Sequence, residues 1–296
     1  MKKVCCIVNP VSGLKKSLKA FYKAKKSFNT SQFKVTLFVS EYPNHIREFT
    51  SKMDKNLFDR IIIFGGDGTI NEVVNGLYFS NKLQEFEIGI IPTGSGNSVA
   101  HDLNALDLDV AIKICCGENT MKMDVNKVNF DDFSQLSISI LGWGMFSYGN
   151  IRAEKLRFLG PMRYDVASIL TLLEKKMHSA DVTIDGVSEY LTCAFIVGCN
   201  SIYTGKGMMV APNGGFFDKK IELVIVQNNV TRFQVADVFR RVYKGTHTEL
   251  PFVKIIQVES FSINPPKDSF YNIDGDIIKS KNASVKVIPR AISLLI

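Results

Sequence analysis

Residues 60–76 read Arg-Ile-Ile-Ile-Phe-Gly-Gly-Asp-Gly-Thr-Ile-Asn-Glu-Val-Val-Asn-Gly, and their residue types already suggest chemistry. Gly65, Gly66 and Gly68 bracket one acid, Asp67, in a turn that ends at Thr69. Glycines there let the backbone bend sharply and leave a ligand room to approach the main chain. The N–H groups at the start of a following helix attract anions, phosphate above all. A phosphate has no use for a carboxylate beside it, so Asp67 makes sense next to a cation or next to a proton to be removed. Two other turns carry the same small polar residue types: Asn9-Pro10-Val11-Ser12-Gly13 and Pro92-Thr93-Gly94-Ser95-Gly96-Asn97.

Each turn follows an apolar, β-branched run. Val4–Val8, Phe33–Val39, Arg60–Phe64 and Phe86–Ile91 read as strands. Helices are expected over Leu14–Phe28, Asn44–Met53, Ile70–Leu77 and from Ser98 onward. On the first of these, Leu14, Leu18, Phe21 and Tyr22 point inward, and Lys15, Lys16, Lys19, Lys23, Lys25 and Lys26 form a basic face. That face is either simply solvated or an apron for phosphates and anionic lipid headgroups. Strands alternating with helices predict a three-layer α/β domain on a parallel sheet. Ligands bind such sheets beyond the carboxyl ends of the strands, the edge all three turns share.

After Gly117 the period changes. Met121–Phe130, Gln135–Leu141, Asp181–Ile184, Tyr190–Gly198, Lys220–Gln227, Phe252–Asn264, Ser269–Ile273 and Ala283–Pro289 read as strands, interrupted by helices over 161–177 and 231–243. Consecutive strands joined by turns predict an antiparallel sandwich as the second domain. The expected division is 1–120 and 121–283.

The 296 residues suit one large or two medium domains, and 46% hydrophobic with 22% charged residues excludes a disordered chain. A net charge of +7 is compatible with a nucleotide phosphate or an anionic membrane surface. No apolar run reaches the roughly 18 residues of a membrane span. Cys5, Cys6, Cys115, Cys116, Cys193 and Cys199 lack Cys-x-x-Cys spacing and read as buried free thiols of a reducing compartment. The four histidines, His45, His101, His178 and His247, lack metal-binding spacing and read as surface or packing residues. There is no Walker A loop, no Gly-x-Gly-x-x-Gly after the first strand and no Gly-x-Ser-x-Gly elbow.

The ordered set Val8-Asn9-Pro10-x-Ser12-Gly13, Gly65-Gly66-Asp67-Gly68-Thr69-x-Asn71-Glu72-Val73-Val74-Asn75-Gly76 and Pro92-Thr93-Gly94-Ser95-Gly96-Asn97 resembles the diacylglycerol/sphingosine/ceramide lipid kinase family. Later segments extend the resemblance over nearly the whole chain. Phe217-Asp218-Lys219-Lys220-Ile221-Glu222-Leu223 is similar to the family's Asp-Asp-Gly-x-Leu-Asp segment, with Phe217 for the first acid and Lys219 for the glycine. Asp274-Gly275-Asp276 is similar to its Asp-Gly-Glu motif, one methylene shorter at Asp276. Ser40-Glu41-Tyr42-Pro43-Asn44-His45, Trp143-Gly144 and the 153–163 stretch look like sphingoid-lipid kinases.

The resemblance implies an ATP- and Mg2+-dependent kinase that phosphorylates a primary hydroxyl of a sphingoid lipid or diacylglycerol. It implies a ligand cleft between the α/β domain and the β-sandwich, with the 284–296 tail returning to the first domain. The implied nucleotide site comprises Asn9, Ser12, Gly13, Ser40, Gly65, Gly66, Asp67, Gly68, Thr69, Gly94, Ser95, Gly96, Asn97, Arg157, Arg163 and Asp276. Asp67, Asp218 and Asp276 are implied for the metal, and Asp67 or Asp274 as the base. The lipid-contacting Asp of sphingosine kinases falls at Asn150 here, a loss of charge that counts against a cationic sphingoid amine and costs a neutral headgroup less. Phosphoryl transfer rests on positioning and charge neutralisation, and these residue types supply both. A cytoplasmic protein with peripheral membrane association follows, with no nucleic-acid partner; a homodimer is compatible. Two other readings stand beside it: an NAD kinase, which shares the Gly-Gly-Asp-Gly turn, and a catalytically idle lipid- or nucleotide-binding protein, suggested by the departures at Asn150, Lys219 and Asp276.

Overall fold

The computed structural model describes residues 1–28, 31–156, 167, 170, 176–205, 207–227 and 230–296. The chain divides into two compact units: Met1–Val125 with Gly205–Gly207 and Ile288–Ile296, and Asn126–Thr204 with Met208–Val287. In chain order the elements are β1 (Lys2–Val8), α1 (Ser17–Lys25), β2 (Phe33–Val39), α2 (His45–Ser51), β3 (Arg60–Gly65), α3 (Asp67–Phe79), β4 (Glu87–Pro92), α4 (Ser98–Asp102), α5 (Leu108–Cys116), β5 (Thr120–Phe130), β6 (Ser134–Ser137), β7 (Ile140–Gly144), α6 (Met145–Lys155), β8 (His178–Ile184), β9 (Val187–Cys199), β10 (Tyr203–Thr204), β11 (Met208–Met209), β12 (Ile221–Gln227), α7 (Arg232–Arg241), β13 (Val253–Val258), β14 (Ser260–Asn264), β15 (Ser269–Ile273), β16 (Asp276–Ser280) and β17 (Ala283–Leu295).

In the first unit the sheet order is β17-β4-β3-β1-β2, and every pair is parallel. The fifth strand is the far end of β17, with Ser293 opposite Glu87. Val4, Cys6, Val8, Ile62 and Phe64 share a core with Phe21 and Ala24 of α1 and Ile112 and Cys115 of α5. Cys5, Ile7, Ile61 and Ile63 alternate with them and are equally buried, so both faces of the sheet are covered, as a three-layer parallel domain requires. All six cysteines are free; five are buried and Cys116 is half-buried.

Helix α1 is shorter than the apolar spacing suggests. Gly13 and Lys15 adopt left-handed φ values of 51° and 66°, so a 3-10 turn over Ser12–Leu14 precedes a helix that starts at Ser17. Tyr22, expected inward, is 60% exposed and joins the lysine face. Helices α2 and α3 lie very close: a Cβ on Gly76 would sit 1.9 Å from Thr50 Oγ1. Arg60, at the start of β3, is wholly buried. Its guanidinium donates to Glu87 Oε2 at 2.6 and 2.9 Å and to the Cys115 carbonyl at 2.9 Å. Burial pushes the Glu87 carboxyl up, but the bonds from Arg60 and Lys2 outweigh it and hold the group below its ordinary value.

The second unit is antiparallel. Strand β9 pairs with β8 and then β7 along one edge and with β12 along the other. Strand β12 continues to β13, β8 to β14, and β7 to β15 and β16. Trp143, Ile196, Leu223, Phe261 and Tyr271 belong to one core. Phe195, Val197, Val224 and Val226 point to the opposite face, where Val235, Val238 and Val242 cover them. Both faces of β12 are therefore buried, which explains its unbroken apolar run.

Two expected strands are each broken in two, for the same reason. Gln135–Leu141 divides because the N–H groups of Ile138 and Ser139 donate to Asp274 and not to a neighbouring strand. Phe252–Asn264 divides because Glu259 and Ser260 donate to Asp185 Oδ1 at 2.9 and 2.8 Å. In both places a carboxylate from a turn remote in sequence takes the amides, which no local pattern reveals. Helix α6 and strand β16 were not expected from the spacing. Apart from residues 167, 170, 176 and 177, the expected 161–177 helix lies outside the described residues.

Candidate functional site

The three polar turns of the first unit meet, main chain against main chain. A Cβ on Gly13 would fall 1.5 Å from the Thr93 carbonyl oxygen, and one on Gly66 would fall 2.8 Å from Gly94 Cα. A Cβ on Gly96 would lie 2.7 Å from Asp67 Oδ2. The glycines are thus set by contact as well as by turn geometry. Asn9 Nδ2 donates to Thr69 Oγ1 at 3.2 Å, tying the first turn to the second. Thr93 N donates to the Gly65 carbonyl at 2.9 Å, tying the second to the third. Ser17 and Thr93 share a hydroxyl hydrogen bond of 2.8 Å. Ser40 closes β2 onto the same edge by donating its N–H to the Val8 carbonyl.

Asp67 is the first residue of α3, whereas the sequence suggested mid-turn. Its Oδ1 accepts the Ser98 N–H at 2.8 Å, and its Oδ2 accepts the Ser98 hydroxyl at 3.2 Å. One carboxylate therefore joins the start of α3 to the start of α4. Ser98 Oγ in turn accepts the Gly205 N–H at 3.2 Å. Asn97, left-handed at φ 57°, folds its side chain over its own turn: Oδ1 accepts from Gly94 N and Nδ2 donates to the Gly94 carbonyl, both at 2.9 Å. Thr69 is buried over Gly65, and its N–H donates to the Gly66 carbonyl, so it braces the turn from inside. Ser95 is exposed and Ser12 half-buried.

Gly68 is different. It is solvent-exposed in the first turn of the helix, and a Cβ there would meet nothing within 4 Å. Space beside the main chain at the amino end of a 13-residue helix is where an anion is favoured by the backbone amides and the helix dipole. Helix α3 opens on Gly66, with no side chain capping it. Further along, Glu72 faces the main chain at Asn44, Ile46 and Arg47. Burial pushes its carboxyl up against the opposing pull of those contacts.

Ser98, His101 and Gly205 also belong to this cluster. Ser98 directly follows the third motif, so its position was a usable signal. His101 is half-buried, with its pKa lowered by burial, and a Cβ on Gly207 would approach its Cε1 to 3.5 Å. Gly205 and Gly207 carry no local signal tying them to the first unit.

The second unit holds the remaining acids. Asp274 and Gly275, at φ 51° and 106°, form the two-residue hairpin between β15 and β16, the positive-φ turn that Asp-Gly favours. Asp274 Oδ1 accepts from Ser137 Oγ, Ser139 N and Ile140 N, each at 2.9 Å, and Oδ2 accepts from Ile138 N at 2.7 Å. A carboxylate has about four acceptor sites. Those of Asp274 hold the β6–β7 connection. Asp276 is exposed at the start of β16. Asp218 is exposed and accepts the Lys220 N–H at 2.9 Å, in a turn where Lys219 takes φ 61° at the position the family fills with glycine. Nearby Glu222 is buried, and burial, aided by the charge of Asp218, pushes its carboxyl up. The side chain of Asn150, and Arg157 and Arg163 entirely, lie outside the described residues.

Among the described residues no group of three or more His, Cys, Asp or Glu side chains converges as a metal cage. Magnesium bound to a nucleotide needs no such cage: one or two carboxylates, waters and phosphate oxygens suffice. The open space at Gly68, with Asp67 beside it, fits a phosphate with its cation. The second unit also contains an apolar cavity of about 30 Å³, lined among others by Phe146, Phe195, Met208, Val238, Phe239 and His247. No helix among the described residues is long and apolar enough to cross a membrane.

The chain matches two family models in succession: the diacylglycerol kinase catalytic domain over residues 3–128, and the YegS C-terminal NAD kinase beta sandwich-like domain over residues 139–296. It is 23% identical to sphingosine kinase 2 of Arabidopsis thaliana, covering 98% of this chain and 72% of the relative. It is also 23% identical to human sphingosine kinase 1, covering 97% of this chain and 89% of the relative. Among solved structures, a diacylglycerol kinase from Bacillus anthracis superposes with a TM-score of 0.72 at 17% identity, over 99% of this chain and 96% of that one.

Proposed function

Because this chain belongs to the lipid kinase family of the diacylglycerol kinase catalytic domain with its YegS-type C-terminal sandwich, we propose that it transfers the γ-phosphate of ATP to a primary hydroxyl of a sphingoid lipid or diacylglycerol. The observation that carries the reading is the junction at Asp67. Three glycine-bearing turns press their main chains together, and at their meeting point one carboxylate bonds to Ser98 while Gly68 keeps the adjacent space open.

When bound, ATP supplies the transferable phosphoryl group, and a divalent cation, which we take to be Mg2+, offsets its charge. The first turn of α3 cradles the phosphates through main-chain amides and the dipole of the helix. Ser98 orients the Asp67 carboxylate by donating to both of its oxygens. Asp67 then receives the proton of the lipid hydroxyl or orients the waters of the cation, two tasks that an oriented carboxylate serves as an acceptor. Asp274 is the weaker candidate for the base, because it holds the main chain of residues 138–140 and the Ser137 hydroxyl. Asp218 and Asp276 remain the acids of the second unit proposed for the metal, and Arg157 and Arg163 the cations proposed for the phosphates. Asn150 in place of an acid favours ceramide or diacylglycerol over a cationic sphingoid amine.

The test is radiolabelled ATP offered with sphingosine, ceramide, diacylglycerol, monoacylglycerol and NAD side by side. One lipid should be labelled, and labelling of NAD alone would replace this reading with that of an NAD kinase. Asp67→Asn should keep the fold and lose at least 100-fold in turnover, the scale of an acid–base contribution. Wild-type rates in that variant would refute the role given to Asp67, and ATP binding without transfer to any acceptor would point to an idle binding protein.

A further inference from the structure

Helix α7 is built with its apolar residues on two sides. Val235, Val238 and Val242 are buried against the outer face of β9 and β12, and Phe239 lines the apolar cavity with Val238 and Val242. That accounts for the inner face. On the outer face, Phe233 is 87% exposed, the largest exposure among the large hydrophobic side chains of the described residues, and Tyr243, just past the helix, is 54% exposed. Helical spacing places Phe233, Ala236 and Arg240 on one line, opposite Val235 and Val238. Arg232 and Lys244 are exposed at the two ends of the same segment.

This is not a frayed end. Thr231 and Gln234 form a reciprocal capping box, with bonds of 3.2 and 2.7 Å. Asp237 is bonded to both Arg240 and Arg241, fixing the second half. A rigid, capped helix therefore holds a phenylalanine out in solvent, flanked by cations. Over 231–250 the charges are Arg232, Arg240, Arg241 and Lys244 against Asp237 and Glu249, a surplus of two positive charges. An aromatic on a basic face, over an apolar cavity, has the composition of a helix that lies in a membrane interface.

We propose that α7 is the element that docks this protein on anionic lipid bilayers, with Phe233 and Tyr243 entering the headgroup region and Arg232 and Lys244 on lipid phosphates. The lysine face of α1 carries more charge, but its exposed aromatic is a single tyrosine, Tyr22, at 60%, whereas the α7 segment offers Phe233 at 87% together with Tyr243. The proposal deepens the lipid-kinase reading and rests on it only for the reason the protein visits a membrane. Vesicle binding without nucleotide therefore tests it separately from catalysis.

The experiment uses the full chain and vesicles of phosphatidylcholine, alone or mixed with phosphatidylglycerol. The wild type should sediment with the mixed vesicles. Phe233→Ser should lower its partition at least about ten-fold, the lower end of what withdrawing one phenylalanine from an apolar phase costs. Arg232→Gln and Lys244→Gln should each lower it roughly five-fold, on mixed vesicles only. In Phe233→Trp, emission should shift to the blue on those vesicles, while the single native tryptophan, Trp143, is buried and contributes a background that vesicles leave unchanged. Turnover of Phe233→Ser on a short-chain lipid dispersed in detergent should match the wild type.

Sedimentation unaffected by Phe233→Ser, or no blue shift in Phe233→Trp, overturns the proposal. So does a larger loss from Lys19→Gln with Lys23→Gln than from the α7 variants. If α7 instead covers a second copy of this chain, the wild type will be a dimer, Phe233→Ser a monomer, and vesicles will bind neither; that result also overturns it. If the α7 pattern holds but no lipid is phosphorylated, the docking surface stands and the lipid-kinase reading falls.

Discussion

Replacing Gly68 with alanine should separate stability from function in a way no other glycine of the site allows. The new Cβ would meet nothing within 4 Å, and Gly68 is not among the glycines at positive φ, so the folded state accepts it without strain. Within a helix, alanine is favoured over glycine by up to about 1 kcal/mol, less in the first turn, so Gly68→Ala should gain about 0.5 kcal/mol and raise Tm by roughly 1–2 °C. The same methyl would occupy the space assigned to phosphate. Loss of close approach at that point should weaken ATP at least about ten-fold, or 1.4 kcal/mol. Gly66→Ala is the contrast: its Cβ would lie 2.8 Å from Gly94 Cα, main chain against main chain, and should cost about 1–3 kcal/mol by overpacking. Urea denaturation with titration of a fluorescent ATP analogue measures both quantities. A Gly68→Ala protein that is stable and binds ATP like the wild type would refute the placement of phosphate at α3; one that is destabilised would refute the open space itself.

Asp274→Ala should unpair the amides of residues 138–140 and cost about 3 kcal/mol in denaturation experiments, since bonds to a charged acceptor are worth more than neutral ones. A variant as stable as the wild type but inactive would instead return Asp274 to candidacy as the base. Glu87→Gln should remove the nearer of two carboxylates at the buried Arg60, leaving Glu118 Oε2 at 3.6 Å, and cost about 2 kcal/mol at neutral pH. Because the Glu87 carboxyl is held below its ordinary 4.5, its contribution is present above that pH and fades as pH falls, so the difference between wild type and variant should narrow in acid. His178 is 8% exposed, stacked on Tyr148, and burial lowers its pKa from 6.5 to about 4. The unfolded chain therefore binds a proton first, and stability should fall by about 3 kcal/mol as pH drops from 6.5 to 4. His178→Gln should flatten that slope in pH-dependent denaturation; an unchanged slope would refute the assignment.

The parallel half of the fold was legible because its strands are buried on both faces and read as continuous apolar runs broken by glycine turns. Its boundaries moved where a left-handed residue intervened, as at Gly13 and Lys15. In the sandwich, the amides of 138–139 and 259–260 leave the ladder for carboxylates far away in sequence, and no spacing announces that. Asp67 could be singled out because an acid inside a glycine turn is unusual, but its bond to Ser98 depends on α4 arriving beside α3. The Asp274 hairpin was readable: Asp-Gly after an apolar strand is a strong turn signal, and the motif resemblance obscured it. The outward Phe233 was hidden by its neighbours, since Phe233, Val235, Val238, Phe239 and Val242 look alike as apolar letters.

Strand β17 begins in the sandwich and ends as the fifth strand of the parallel sheet, beside β4. During synthesis, β4 emerges from the ribosome long before the residues that will cover its edge. Until β17 is made, the first unit carries an open strand edge of apolar composition, the kind of surface that pairs with other chains. The final pairing also spans most of the chain in sequence, so it closes a large loop and comes late. The parallel sheet of the first unit is thus sealed by a strand made long after its neighbours. Early fragments should need a chaperone's protection, and a lesion near residues 288–295 should be felt at the start of the fold.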